Sequence, residues 1–306
     1  MSRRVTVHVP ATTANLGPGF DCLGMAVQMY NTIDMEDNGN SALSISLAGS
    51  CASDTIPVDE HNLVYRAAAK VFEVVGRRPD KLTIRLTLES PLARGLGSSA
   101  SAITGGIVAA NAMLGNTLSQ PRLLSLMLGM EGHPDNIVPC LVGGLTASLA
   151  IDGRVTYIRR TPAPNVVCVL LVPGYELSTA KARQAIPKSV PLKDAVFNLS
   201  RIPFVLERLE SGNLEGLAEL MDDMLHQPYR KPLIRAYEEV SVQAMQHGAA
   251  AVCISGAGPT ILAIADSGKS ADVAAAMAGA LDAIGVEGHA HVLKPDVQGT
   301  RVTIHE

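Results

Sequence analysis

The chain has no tryptophan and only 4 phenylalanines and 6 tyrosines in 306 residues. That scarcity disfavours base-stacking surfaces and suits a core of small aliphatic side chains packed between helices and sheets. An excess of charge is missing as well, with 25 Lys+Arg against 29 Asp+Glu, so nothing draws the whole molecule to nucleic acid or an anionic membrane, and any anion binding must be local. No apolar run approaches the ~20 residues of a membrane span; the longest candidate, Ala249 to Ala265, is broken by Ser255, Gly256, Gly258 and Pro259. Cysteine pairs are also lacking. Cys22, Cys51, Cys140, Cys168 and Cys253 are scattered, odd in number and never in a C-x-x-C pair, which fits free thiols in a reducing compartment. Residues 1–10 carry two arginines but then alternate through Val5, Val7 and Val9 to a proline, so no signal-peptide apolar region is present and a cytoplasmic location is expected.

The length suggests two domains. The Pro- and Arg-rich stretch Arg159 to Pro164 is the candidate linker, giving an N-terminal domain over 1–160 and a C-terminal domain over 161–306. In the first, the pattern predicts a strand from Arg4 to Val9, a glycine-punctuated loop from Pro10 to Gly24, strands near Ala42 to Leu47 and Lys81 to Leu88, and a helix from Asn62 to Val75 between them. A second glycine loop, Pro91 to Ser101, runs into a small-residue helix ending near Leu114, with Gly115-Asn116 as its stop. Another helical segment leads to a third loop, Glu131 to Asn136, and strand-like sequence resumes after Gly143-Gly144. The second half starts with an unbroken apolar run, Val166 to Val172. Helices follow at Asp194 to Glu210, Leu214 to His226 and about Pro232 to Gln246, then strands at Ala251 to Ser255 and Ile261 to Ala265 around a GAGPT turn. A helix from Ser270 to Ile284 and a strand from Gly288 to Leu293 complete the order β-α-β-β-α-β, the split-βαβ arrangement. The fold class is α+β.

The most informative segment is Gly95-Leu96-Gly97-Ser98-Ser99-Ala100, between a strand and a helix. Glycines let backbone approach an anion closely, free N–H groups at the helix start point into that space, and the helix dipole adds partial positive charge. Two serines add hydroxyls for phosphate oxygens or Mg²⁺. The run also matches a G-x-G-x-x-A dinucleotide fingerprint, but that signal needs a following strand with an acidic end, and a helix follows here. No Walker A sequence occurs. A Gly-Ser helix start without any ligand is the plain structural alternative.

Three motifs in order change the weighting: PATTANLGPGFDCLG (Pro10 to Gly24), PLARGLGSSAS (Pro91 to Ser101) and SGAGPTILAI (Ser255 to Ile264). With them the sequence resembles, over nearly its whole length, the GHMP kinases, which include galactokinase and the homoserine, mevalonate and phosphomevalonate kinases. The first motif has the homoserine kinase form, P-x-T-x-A-N-L-G-x-G-F-D-x-L-G. The resemblance implies a two-domain fold, with an N-terminal domain like ribosomal protein S5 domain 2 and a C-terminal ferredoxin-like domain. It implies ATP and Mg²⁺, transfer to the side-chain hydroxyl of L-homoserine in threonine biosynthesis, no nucleic-acid or membrane partner, and a homodimer.

By that resemblance Pro91, Leu92, Ala93, Arg94, Gly95, Leu96, Gly97, Ser98 and Ser99 bind the nucleotide, with the stretch from Arg94 to Ser99 around the triphosphate, Ser98 on a phosphate and Ser99 near Mg²⁺. Glu131 matches the metal-binding glutamate. Asn62 matches the adenine contact, and it reads equally well as a turn or helix-cap asparagine. Arg183 and Arg230 match the carboxylate-binding arginines, Asp21 with Asn15 beside it the ammonium site, and His133 and Asn136 the lining of the acceptor hydroxyl. Asn136, Arg230, Ser99 and Glu131 are the residues implied nearest the chemistry. Where mevalonate kinase-like members carry a catalytic aspartate, this chain has Asn136, with Asp135 as its neighbour. An amide cannot accept a proton, so transfer is expected to rely on positioning and charge neutralisation without a dedicated base. Another GHMP kinase acting on a mevalonate-pathway or sugar alcohol, or a non-catalytic binding member, are the alternatives. GAGPT is expected to brace the central loop, Cys22 to pack, and His289 and His291 to share a strand face without a third metal ligand.

Overall fold

The computed structural model describes residues 3–37 and 42–305. Val5, Val7 and Val9 alternate along β1 (Arg4–Ala14), and all three are fully buried. The strand does not stop at Pro10: its pairing with β2 (Leu23–Glu36) shifts between Pro10 and Ala11, the kind of irregularity at which a strand tolerates proline. The expected loop over Pro10 to Gly24 is therefore strand at both ends and a short turn in the middle. β2 itself has no clean alternation to announce it. Leu23, Gly24, Met25, Ala26 and Val27 are buried on both faces, and in-out alternation begins only at Asn31, continuing through Ile33 and Met35.

The first half continues with β3 (Leu43–Ala48), α1 (Leu63–Val75), β4 (Leu82–Thr87), α2 (Ser98–Met113), α3 (Gln120–Glu131), α4 (Pro134–Val142), β5 (Leu145–Ile151) and β6 (Arg154–Arg160). In the second half come β7 (Val166–Pro173), α5 (Thr179–Gln184), α6 (Leu192–Ser211), α7 (Leu217–Leu220), α8 (Gln227–Arg230), α9 (Tyr237–Gln246), β8 (Ala249–Ile254), β9 (Ile261–Asp266), α10 (Ser270–Ala283), β10 (Gly288–Leu293) and β11 (Arg301–His305). One sheet has seven strands in the order β11-β1-β2-β4-β3, with β5 paired to β2 and β6. The other is β10-β7-β9-β8, antiparallel throughout. Numbered within the second half this is 4-1-3-2, and with the intervening helices it is the β-α-β-β-α-β arrangement expected. The α+β class stands. The sequence boundary at 160/161 falls between β6 and β7, in different sheets, and β11 returns to pair with β1.

Three apolar clusters hold these layers together. One lies between the seven-stranded sheet and the helices α1 to α4; another packs α9 and α10 on the four-stranded sheet. The third joins the halves: Leu16, Leu23, Met25 and Leu96 meet Cys168, Leu170, Val205, Leu209 and Leu262. β7 serves two clusters at once, Cys168 and Leu170 facing one and Val169 and Leu171 the other, which explains its unbroken apolar run.

Two helices expected from periodicity are shorter. The segment Leu214 to His226 is helical only over α7, because the carboxylate of Asp223 accepts the amides of Leu225, His226 and Gln227 and so offers the backbone an alternative to the helix. The helix from Pro232 starts only at Tyr237, after a 3₁₀ turn at Lys231–Leu233 and a left-handed residue, Ala236.

Candidate active site

The loop before α2 is shaped by two glycines at which any side chain would be strained. Gly95 and Gly97 have φ of +77° and +65°, in the left-handed region. A Cβ on Gly95 would lie 2.3 Å from the Ser255 carbonyl oxygen, and one on Gly97 would lie 1.9 Å from Oγ1 of Thr12. The GAGPT turn thus seats directly on the loop, as expected. Ser255 Oγ donates to the Gly95 carbonyl at 2.7 Å and contacts Oγ1 of Thr13 at 2.9 Å, while the Thr12 amide donates to the Leu96 carbonyl at 3.2 Å.

Gly97 is the N-cap of α2 and has no side chain to satisfy the helix's first amides. The first amide of this stretch to find a partner is Ser101, on the Gly97 carbonyl at 2.8 Å; among the described residues no hydrogen bond engages the amides of residues 95–100. They border a cleft of about 570 Å³ whose lining includes Gly95, Gly97, Ser98, Ser99 and Glu131 on one side and Asn15, Asp21, Arg183 and Arg230 on the other. A second, more apolar pocket of about 960 Å³ also reaches Ser98 and Ser99 and extends past Asn62, Leu63, Leu86 and Leu88. Apolar pocket and charged cleft both reach Ser98 and Ser99 at the open helix end.

Ser99 Oγ donates to Oε2 of Glu131 at 2.7 Å. Burial pushes the Glu131 carboxyl up, and the serine hydroxyl partly offsets this. Ser98 Oγ accepts the Ala93 amide at 3.4 Å. Ala93 and, in the first motif, Asn15, Leu16 and Asp21 adopt positive φ; strained backbone of this kind gathers at functional sites.

The charged side is compact. Arg183 donates from both terminal nitrogens to the two oxygens of Asp21, each at 2.9 Å, and this pairing raises the arginine's pKa. Arg230 is 2 % exposed and donates to the carbonyls of Ala182 and Gly256. Burial, reinforced by the nearby Arg183, pulls its guanidinium down to about 10. Asn15 bridges the elements, donating to the Gly256 carbonyl at 2.8 Å and accepting the Asp21 amide at 3.1 Å.

On the third loop, Nδ1 of His133 lies 2.9 Å from buried Asp135, a contact that raises the imidazole pKa. Asn136 accepts a hydrogen bond from Thr12 Oγ1 at 2.7 Å. The amide has N–H groups to offer the cleft, and its oxygen, which already accepts from Thr12, is no proton-accepting base. Asp21, His133 and Asp135 each bring a ligating atom within 4.8 Å of the others, but Asp21 is already matched by Arg183 and Asp135 by His133.

The structure therefore gathers Asn15, Asp21, Gly95, Gly97, Ser98, Ser99, Glu131, His133, Asn136, Arg183 and Arg230 around one cleft. Asn62 borders the apolar pocket, and its side chain caps α1, accepting the amides of Val64 and Tyr65 and donating to the Pro57 carbonyl. The Arg94 side chain is directed elsewhere: it donates to the carbonyls of Leu92, Pro173 and Gly174 and pairs with Glu176, strapping the loop to the second half of the chain. Sequence reasoning missed Thr12, Ser255 and His226 as individuals. The first two lie inside motifs, and His226 stands four residues before Arg230, the spacing that brings side chains together on a helical turn.

Family models describe two parts of the chain: "GHMP kinases N terminal domain" matches residues 62–144 and "GHMP kinases C terminal" matches 205–283. Among curated proteins, a homoserine kinase of Nostoc punctiforme is 45% identical over 298 residues, covering 97% of each chain. One from Moorella thermoacetica is 44% identical, over 97% of this chain and 99% of the relative. A crystal structure of homoserine kinase from Cytophaga hutchinsonii superposes with a TM-score of 0.89 at 28% identity, covering 98% of this chain and 97% of the other.

Proposed function

This chain belongs to the GHMP kinases, and on that premise we propose that its cleft transfers the γ-phosphoryl group of ATP to the side-chain hydroxyl of L-homoserine, yielding O-phospho-L-homoserine for threonine biosynthesis. The observation that carries this reading is the row of unengaged amides from residue 95 to residue 100, set beside a cleft that bears both charges of a zwitterion partner. The amides and the α2 dipole suit phosphate oxygens. The apolar pocket past Asn62 suits the base, which would be held by contact with Leu63, Leu86 and Leu88.

The acceptor's carboxylate goes to Arg230 and Arg183, and its ammonium to Asp21. A zwitterion can enter by exchange: its two charges replace the ones Arg183 and Asp21 now offer each other, so neither side chain is left buried and unpaired. Asn136, a donor here, steadies the acceptor hydroxyl with His133. Transfer without a dedicated base agrees with a loose transition state, in which alignment and charge neutralisation do most of the catalysis.

Ser99 and Glu131 would hold Mg²⁺, since a hydroxyl and a carboxylate oxygen brought together are the donors that ion takes. The ion would supply charge neutralisation at the phosphates. Five free cysteines, three of them buried, support a reducing cytoplasmic setting. A homodimer is carried over from the family resemblance.

ADP release measured with a panel of acceptors tests the reading. Homoserine should support turnover, with mevalonate and galactose near background; preference for either would overturn the substrate assignment. Arg230→Ala should abolish saturation by homoserine while ADP binding in a calorimeter stays intact.

A further inference from the structure

Beside its two carbonyl contacts, the Arg230 guanidinium has one side-chain hydrogen-bond partner among the described residues: Nη1 lies 3.4 Å from Nδ1 of His226. An arginine nitrogen can only donate, so Nδ1 must present its lone pair. Nε2, the other ring nitrogen, is 2.9 Å from the Gly17 carbonyl oxygen, which can only accept. Together the two partners admit a single state of the ring, neutral with its proton on Nε2.

We propose that His226 is the positioning residue for Arg230: its neutral imidazole, anchored through Nε2 to the first motif, fixes the guanidinium in the orientation that receives the acceptor's carboxylate. This rests on the assignment of Arg230 as a carboxylate ligand.

The surroundings are built for that task. His226 is completely buried, and its ring stacks on Phe20 with centroids 5.2 Å apart and planes 23° apart. Arg230 and Arg183 both lie over the same Phe20 ring, at 5.2 and 5.5 Å. Asp223 fixes the backbone of the turn by accepting the amides of Leu225, His226 and Gln227, and it is itself bonded by Asn198. Its Oδ2 is 3.6 Å from Nε2, too far to replace the Gly17 carbonyl as the proton's acceptor.

The charged groups facing the imidazole are Asp223 and Arg230 from its own segment and Asp21 from the turn between β1 and β2, with Arg183 of α5 across Phe20. Burial lowers the His226 pKa, and Arg230 adds to this against the pull of Asp223. Protonation would remove the acceptor from Arg230 and set one cation against another.

Two substitutions separate positioning from packing. In His226→Gln the amide reaches the place of Nε2 and keeps a donor for Gly17, but Arg230 loses its acceptor. In His226→Asn the amide oxygen takes the place of Nδ1 and Arg230 keeps one. The homoserine KM should rise about tenfold in His226→Gln and stay within about threefold of wild type in His226→Asn, with ATP KM unchanged in both. As pH falls well below the ordinary imidazole value of about 6.5, toward the lowered His226 pKa, the wild-type homoserine KM should climb, and that of His226→Asn should not. Equal effects of the two variants, the reverse order, or identical pH profiles overturn the proposal. If His226→Gln does not fold, the pH comparison decides alone. Arg230→Ala separates the two levels: an unchanged homoserine KM there sinks the carboxylate assignment and the proposal with it, whereas a raised KM with a normal His226→Gln sinks only the role of His226.

Discussion

Gly97→Ala puts the phosphate-loop reading at risk most directly. The residue sits at φ +65°, where a side chain costs about 1–2 kcal/mol. Its new Cβ would fall 1.9 Å from Thr12 Oγ1 and 2.9 Å from Asn136 Oδ1, so the threonine hydroxyl must move and give up its bond to Asn136. A buried hydroxyl left without a partner adds about 1–3 kcal/mol. The sum is a loss of about 2–5 kcal/mol, measurable by urea unfolding. Because the same shift displaces the amides that open α2, calorimetry should show ADP affinity falling at least about tenfold. Thr12→Ala removes the nearest obstructing atom, so in the double variant part of both losses should return, with a coupling of at least about 1 kcal/mol. Wild-type stability and ADP binding in Gly97→Ala would refute the reasoning. So would strict additivity with Thr12→Ala, which would mean that the two groups do not compete for the same space.

Two more predictions follow from single contacts. Asn62→Ala should destabilise the protein by about 1 kcal/mol through loss of the α1 cap, and Asn62→Asp should not restore wild-type stability, because a carboxylate accepts the two amides but cannot donate to the Pro57 carbonyl; thermal unfolding measures both. The folded-state pKa of His133 is raised by Asp135, so its contribution to stability is complete below the unfolded-state value of about 6.5 and is lost as pH rises through the folded one. His133→Asn should therefore cost more stability at pH 6 than at pH 9, and an equal loss at both would contradict the pairing.

Much of this site can be read in the residues because its chemistry sits in contiguous motifs. The GLGSSA loop, the GAGPT turn and the NLGPGFD turn each carry their own glycines, and the open helix start follows from the first of them. What escapes sequence reading depends on contacts across the chain. β2 looks irregular because its first half is covered on both faces, and no local pattern says so. Asp223 breaks a helix that periodicity favours by capturing three amides. Arg94 resembles a phosphate ligand in its motif, yet its guanidinium is engaged by carbonyls some 80 positions away. Arg183 and Asp21 are individually recognisable, but only the fold shows that each is the other's counter-ion.

Arg4 is registered opposite His305, so the outer edge of β1 is closed by a segment nearly three hundred residues downstream. During synthesis that edge must wait, with its donors and acceptors hydrated, until the whole intervening lobe has left the ribosome. Residues 1–160 excised alone would lack this flank and present an unprotected strand to neighbouring molecules. The polypeptide also crosses between the sheets twice, after β6 and again before β11, so any hinge between the lobes has two pivots, and a clamshell motion has to bend both.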